Sequence, residues 1–139
     1  MLESLLWKNT KSEFRKVGKF QKTSDRFTPG IPDVLGCCDG TAYALELKRL
    51  AGSGRVRVKF RPGQLDWLEE WGLAGGVGLI VATLEPYVLV FDPRHGPQLE
   101  LGVSRAEALE MALIRFLKTR TNSWSELVEQ IRSIKNEEI

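Results

Sequence analysis

Several features that would point to common protein chemistries are scarce or missing in this chain. No apolar run approaches the ~18 residues that a bilayer-spanning helix needs, so no membrane partner is expected. There is one histidine, His95, and there are two cysteines, Cys37 and Cys38, side by side. Neighbours on a strand point to opposite faces. A bridge between these two cysteines is therefore not expected, and nothing around them has metal-ligand spacing; they read as small core or edge residues. His95 follows Asp92-Pro93-Arg94 with no nucleophile or ligand set nearby and reads as a surface turn residue. The glycine-rich stretch Ala74-Gly75-Gly76-Val77-Gly78 lacks the Lys-Ser/Thr that would complete a nucleotide-phosphate cradle. The opening residues Met1 to Lys8 lack the charged-then-apolar layout of a signal peptide, so a cytoplasmic home is expected.

An excess of charge of one sign is also nearly absent: 20 Lys and Arg stand against 18 Asp and Glu, and the formal net charge of +2 says little about partners. Its distribution says more. Lys8, Lys11, Arg15, Lys16, Lys19, Lys22 and Arg26 crowd one stretch against Glu13 and Asp25, and Lys48, Arg49, Arg55, Arg57, Lys59 and Arg61 form a second with no acid among them. Glu126, Glu129, Glu137 and Glu138 gather instead at the far end. Such a one-sided basic surface suits a polyanion, or is a solvated charged face.

A length of 139 residues favours one domain spanning 1–139. A 3.6-residue stripe through Trp7, Thr10, Phe14 and Val17 predicts a helix over 2–16, with Glu3 on the same stripe. Residues 17–22 read as a first strand and Thr28 to Pro32 as a loop. Two strands, 33–38 and 41–48, flank Asp39-Gly40, a strong hairpin signal. Gly52-Ser53-Gly54 reads as a flexible basic loop. Pro62 is expected to open a helix carrying Leu65, Leu68 and Trp71 and ending at Gly75-Gly76. Val77–Leu84 and Tyr87–Phe91 read as two further strands. Capping boxes at Ser104–Glu107 and Ser123–Glu126 predict two tail helices within 104–136, the first running on through Leu113, Phe116 and Leu117. The order is that of a mixed α/β fold around one central sheet.

The hairpin puts chemistry together. A two-residue Asp39-Gly40 loop pairs Cys38 with Thr41 and Val34 with Leu45, so Asp33 faces Glu46 on one face of the ladder, their Cβ atoms roughly 4.5–5.5 Å apart. Lys48, two residues beyond Glu46, shares that face, while Leu45 and Leu47 project into a core. Two like charges opposed in this way are destabilising, and both carboxylates ionise near pH 4 when unperturbed. A hard divalent cation such as Mg²⁺ or Mn²⁺ is a reason to keep them. Lys48 is then placed to serve a water and to offset charge on a phosphate. Alternatively, the three side chains form a surface cross-strand cluster.

At these residues a resemblance emerges. Gly30-Ile31-Pro32-Asp33-Val34 followed by Tyr43-Ala44-Leu45-Glu46-Leu47-Lys48 resembles the PD-(D/E)XK nuclease superfamily. More narrowly it is similar to small phage or prophage nucleases of the VRR-NUC and Holliday-junction-resolvase-like kinds. Gln64-Leu65-Asp66-Trp67-Leu68 matches a glutamine-bearing helix of that pattern, and Gly76 to Val81 its next core strand. The resemblance covers about residues 3–92. It implies a restriction-endonuclease-like αβββαβ core with a mixed sheet, to which the two tail helices are an addition, and Mg²⁺- or Mn²⁺-dependent hydrolysis of DNA phosphodiesters. It also implies that Asp33, Glu46 and the Leu47 carbonyl hold the metal, that Lys48 serves the nucleophilic water, and that Gln64 stands near the site, which its place on the inward stripe with Leu68 and Trp71 supports. A first-helix glutamate completes the site in many relatives; Glu3 is the first candidate here and Glu13 the second. If the gene is phage-borne, the protein works in the host cytoplasm.

The basic insert from Gly52 to Arg61 departs from that pattern. If extended, Arg55, Arg57, Lys59 and Arg61 point one way and track a phosphate backbone. Lys22 and the Ser24 hydroxyl are further candidates for phosphate contact, Ser24 equally a turn residue. No base-reading module is evident, so shape, such as that of a branch or junction, is the expected target. The other readings are a nuclease of linear or nicked duplex and a DNA-binding module that does not cut. Trp71 reads as a core residue by its helical spacing, and Trp67 either packs or stacks on bases. The tail helices, with Trp124, Leu127 and Ile131, either form a homodimer surface or cover the sheet.

Overall fold

The Asp39-Gly40 turn sets the register around which the rest is built. Both residues take positive φ, 52° and 78°, the conformation that a two-residue type I′ loop demands of its central pair. In the computed structural model, which describes residues 2–23, 30–119 and 123–136 (the side chains of 2–4 apart), strands β2 (Val34–Cys38) and β3 (Thr41–Arg49) pair from Cys38↔Thr41 to Val34↔Leu45. This is the predicted register. Asp33 stands one residue beyond the last ladder pair, opposite Glu46.

Helix α1 (Leu2–Val17) buries Leu6, Trp7, Thr10 and Phe14. It hands over through Gly18 to β1 (Lys19–Lys22), which pairs antiparallel with β2, Lys19 opposite Cys37 and Lys22 opposite Val34. Because Lys19 lies beside the hairpin turn, α1 ends at that end of the sheet. Its first turn, with Glu3, therefore lies toward the opposite end, where Asp33 and Lys48 are.

After β3 the basic insert contains a two-residue strand, β4 (Arg55–Val56). Helix α2 (Gln64–Leu73) then crosses over to β5 (Val77–Leu84), which runs parallel to β3 with Glu46 beside Ile80 and Lys48 beside Ala82. Pro62 precedes this helix rather than opening it. Gly63, at φ 87°, is its N-cap and has no side chain to offer. Strand β6 (Tyr87–Phe91) returns antiparallel along β5. It leads through a single 3-10 turn at Pro93–His95 into α3 (Gly96–Leu101) and β7 (Val103–Ser104). β7 pairs with β4, tying the insert down. His95 is half-buried in that 3-10 turn.

The tail departs from the expectation. Helix α4 (Arg105–Met111) starts with the predicted box: Ser104 Oγ accepts from the Glu107 N–H at 3.0 Å and Glu107 Oε1 accepts from the Ser104 N–H at 2.7 Å. It stops at Ala112, whose backbone is extended. Ile114–Leu117, expected as helix, is strand β8, paired antiparallel with β6. The reason is the open edge of β6. Pairing there lets Phe116 enter the core with Ile114 packed against it, while Arg115 and Leu117 face out. The last helix, α5 (Trp124–Arg132), follows Ser123, but the second box does not close, because Ser123 Oγ bonds Ser125 Oγ instead.

The described residues thus form a mixed α/β fold. Its six-stranded sheet is ordered β1-β2-β3-β5-β6-β8, with only β3 and β5 parallel, and a two-stranded β4-β7 patch lies beside it. One face packs Leu45, Leu47, Leu79, Val81 and Phe116 against α1 and α5. The other packs Ala44, Ile80, Ala82 and Phe91 with Leu68 of α2, Leu99 of α3 and Ala108 of α4. β5 and β6, covered on both sides, are near-continuous apolar runs for that reason. Glu46 and Lys48 are the polar positions of β3 on the α2 face. Among the described residues no helix is long and apolar enough to cross a membrane.

Candidate active site

The site grows from the place where β2 ends and β3 continues. Asp33 has left the ladder, and its Oδ2 takes up the free ladder position by accepting the Leu47 N–H at 2.8 Å. The N–H and C=O of a strand residue point to the same side, so the Leu47 carbonyl is directed toward Asp33 and away from β5. Two contacts anchor the approach to Asp33: Thr23 Oγ1 donates to the Pro32 carbonyl at 2.7 Å, and the Thr23 N–H donates to the Asp33 carbonyl at 2.8 Å.

Gly30 accounts for the glycine in Gly30-x-Pro32-Asp33. Its φ is 78°, and a Cβ there would stand 2.5 Å from the Gly63 carbonyl and 3.0 Å from the Gln64 nitrogen. Two glycines with left-handed backbone thus let the segment before Asp33 touch the start of α2.

That contact brings Gln64 inward. It is 1% exposed, and each end of its amide is used. Nε2 donates to Glu46 Oε2, while Oε1 accepts from Lys48 Nζ at 2.9 Å and from the Arg61 N–H at 2.7 Å. Lys48 Nζ also lies 3.3 Å from Glu46 Oε2. Lys48 therefore has an ammonium hydrogen to spare beyond these two contacts.

Glu46 is 1% exposed, and its Oε1 is buried with no hydrogen-bond partner. Burial, and then repulsion from Asp33, push its carboxyl up to about 7. Burial also raises Asp33, against the Leu47 N–H and the cations Lys48, Lys22 and Arg61 that favour its ionised form. Lys22, on the edge strand, is thus close enough for its charge to act on Asp33, and Arg61, at the end of the insert, for its charge to act on both acids.

A hard divalent cation fits this set. The donors are carboxylate oxygens with a carbonyl directed alongside, one oxygen is buried without a partner, and both strains on the pair are relieved by a positive charge between them. Among the described residues no group of three or more His, Cys, Asp or Glu side chains is arranged to hold a metal ion. The side chain of Glu3 and all of Ser24 lie outside the described residues. Glu13 pairs with Lys16 at 3.2 Å in the half of α1 nearer the hairpin turn, away from Asp33.

Solved structures align with this chain, each over most of its own length. One is a VRR_NUC domain: identity is 22%, the match covers 70% of this chain and 91% of that one, and the TM-score is 0.45. Another is the bacterial homing endonuclease I-Ssp6803I, with 13% identity, 94% and 91% coverage and a TM-score of 0.46. No family model matches the sequence, and no curated protein does at a significant level.

The insert alternates as an extended chain does. Val56, Val58 and Phe60 are buried, and Arg55, Arg57, Lys59 and Arg61 are exposed. Arg55 Nη2 donates to the Gly102 carbonyl at 2.6 Å. Trp67 and Trp71 stack on each other at 5.1 Å, and Trp71 Nε1 donates to the Ala42 carbonyl, so both pack. Cys37 is exposed and Cys38 buried, both free, on opposite faces. Two contributors escaped the sequence reading. Thr23 carries no signal in its spacing. Phe60, whose ring stands over Lys48 Nζ, was visible only as the last inward position of Val56-x-Val58-x-Phe60.

Proposed function

We propose that the chain is a Mg²⁺- or Mn²⁺-dependent endodeoxyribonuclease that hydrolyses phosphodiesters at the Asp33–Glu46–Lys48 site. The observation that carries this reading is the convergence of a half-buried carboxylate, Asp33, and a fully buried one, Glu46, whose Oε1 lacks any partner, on a lysine held by Gln64. Asp33, Glu46 and the Leu47 carbonyl are the proposed metal ligands, with Glu3 as a further one from α1. When bound, the cation supplies charge against phosphate oxygens and makes water a stronger acid.

The chain's own groups do the rest. Gln64 fixes Lys48 Nζ beside Glu46, so that its remaining hydrogen is offered to the attacking water or to a non-bridging phosphate oxygen. Asp33, tied to the Leu47 N–H, keeps one carboxylate edge in place. Lys22, Arg55, Arg57, Lys59 and Arg61, with Ser24, form the proposed phosphate-binding surface. Contacts of this kind position a backbone and carry no base sequence, which favours DNA selected by shape, such as a branch or junction. Paired cuts across a junction need two sites, so a homodimer belongs to the same proposal.

The test is cleavage of labelled four-way junction, flap and linear duplex DNA with Mn²⁺, Mg²⁺ or EDTA, with Asp33→Asn as control. Metal-dependent cutting absent from the variant supports the reading, and the preferred substrate defines its target. Tight binding without cutting in either metal overturns it in favour of a binding module.

A further inference from the structure

The basic insert does more than present cations to solvent. Its inward residue Phe60 is 8% exposed, and its ring centroid lies 5.3 Å from Lys48 Nζ, within the range at which a ring face attracts an ammonium. The next residue, Arg61, gives its N–H to the same Gln64 Oε1 that accepts from Lys48. The Phe60 N–H is in turn directed at Glu100 Oε2, 3.4 Å away, and the Val58 N–H is held by the Leu99 carbonyl at 3.1 Å. The backbone that carries the ring is thus held from the α3 side, and Lys48 is enclosed by Glu46 at one side, Gln64 at another and an aromatic face at a third. Only 12% of the Lys48 side chain is exposed.

We infer that Phe60 is a positioning residue for Lys48: its ring face holds the ammonium in register with the scissile phosphate, joining the DNA-gripping insert to the reacting centre. The inference rests on the nuclease reading above. A merely structural Phe60 would matter only for its shape. A positioning ring matters for the negative charge of its face.

Replacing Phe60 site-specifically with pentafluorophenylalanine keeps the shape and reverses that charge. The expected result is a fall in kcat of about three- to thirty-fold with KM and the thermal midpoint retained. Phe60→Tyr, which keeps the face, holds kcat within about two-fold of wild type. A second readout needs no turnover. In metal-free protein labelled with [¹³C]lysine, the Lys48 ε-methylene, identified by its loss in Lys48→Arg, resonates upfield of the other lysines and moves back toward them in Phe60→Leu. A wild-type chain that cuts while the fluorinated protein keeps its full kcat overturns the positioning role alone. So does a Lys48 resonance unmoved in Phe60→Leu. A wild-type chain that cuts no DNA in either metal overturns the nuclease reading and this inference with it.

Discussion

At the scale of single residues, the tension in the site lies in Glu46. Its folded pKa, about 7, stands above the 4.5 of an unperturbed glutamate. Between those values the native chain binds more protons than the unfolded chain, so stability falls as pH rises through this window and the full penalty is present above it. A shift of this size corresponds to about 3 kcal/mol at most. In EDTA, Glu46→Gln is expected to raise the thermal midpoint relative to wild type at pH 8 and to lose that advantage near pH 4.5. Adding Mg²⁺ or Mn²⁺ should lift the wild-type midpoint and leave that of Glu46→Gln nearly still. Equal midpoints at pH 8 would remove the burial penalty from the account. Asp33 behaves differently, because its Oδ2 is also the acceptor of the Leu47 N–H. Asp33→Asn and Asp33→Ala should both abolish cutting. Only the alanine should also cost stability, about 1–3 kcal/mol for the orphaned donor, which chemical denaturation of the two variants compares directly.

At the scale of elements, what the sequence made legible was local or periodic. Asp39-Gly40 allows one tight register, and that register alone sends Leu45 and Leu47 to the core and Glu46 and Lys48 to the site. Gln64 was legible because it shares a helical stripe with Leu68. β8 was not: Leu109, Leu113, Phe116 and Leu117 fit a helical stripe, while 114–117 alternates equally well, and four residues cannot separate the two periods. The open edge of β6, which is not written in those four residues, makes the choice. β4 and β7 were invisible for the same reason, each being two residues long and defined by its partner. The insert was legible only as an alternation, and that alternation yields a prediction. With Arg57 and Lys59 on phosphates, Arg57→Ala combined with Lys59→Ala should reduce the slope of log affinity against log salt by about 1.8 on duplex arms, with kcat at saturating DNA unchanged. Arg55 is left in place because its guanidinium holds the Gly102 carbonyl. Fluorescence anisotropy over a salt series measures the slope, and an unaltered slope would take the insert away from the DNA.

At the scale of the whole molecule, the sheet separates stability from chemistry. The site lies at β2–β3 and the start of α2, on one face; β8 lies three strands from β3 across β5 and β6, and its inward residues serve the other face. Phe116 packs there with Trp124 of α5 at 5.6 Å between ring centroids, and α5 rests on α1. Phe116 and Trp124 belong to the cluster on that face, whereas Glu46, Lys48 and Gln64 lie on the α2 face. The expected effect of Phe116→Ala is therefore a loss of about 3–5 kcal/mol of folding stability, the usual cost of a buried aromatic cavity, with kcat per folded molecule unchanged. Denaturant titration gives the first quantity, and turnover normalised to the folded fraction gives the second. A large fall in normalised kcat would mean that the α1–α5 layer bears on the reacting centre, and the first turn of α1, where Glu3 sits, is the route by which it would do so.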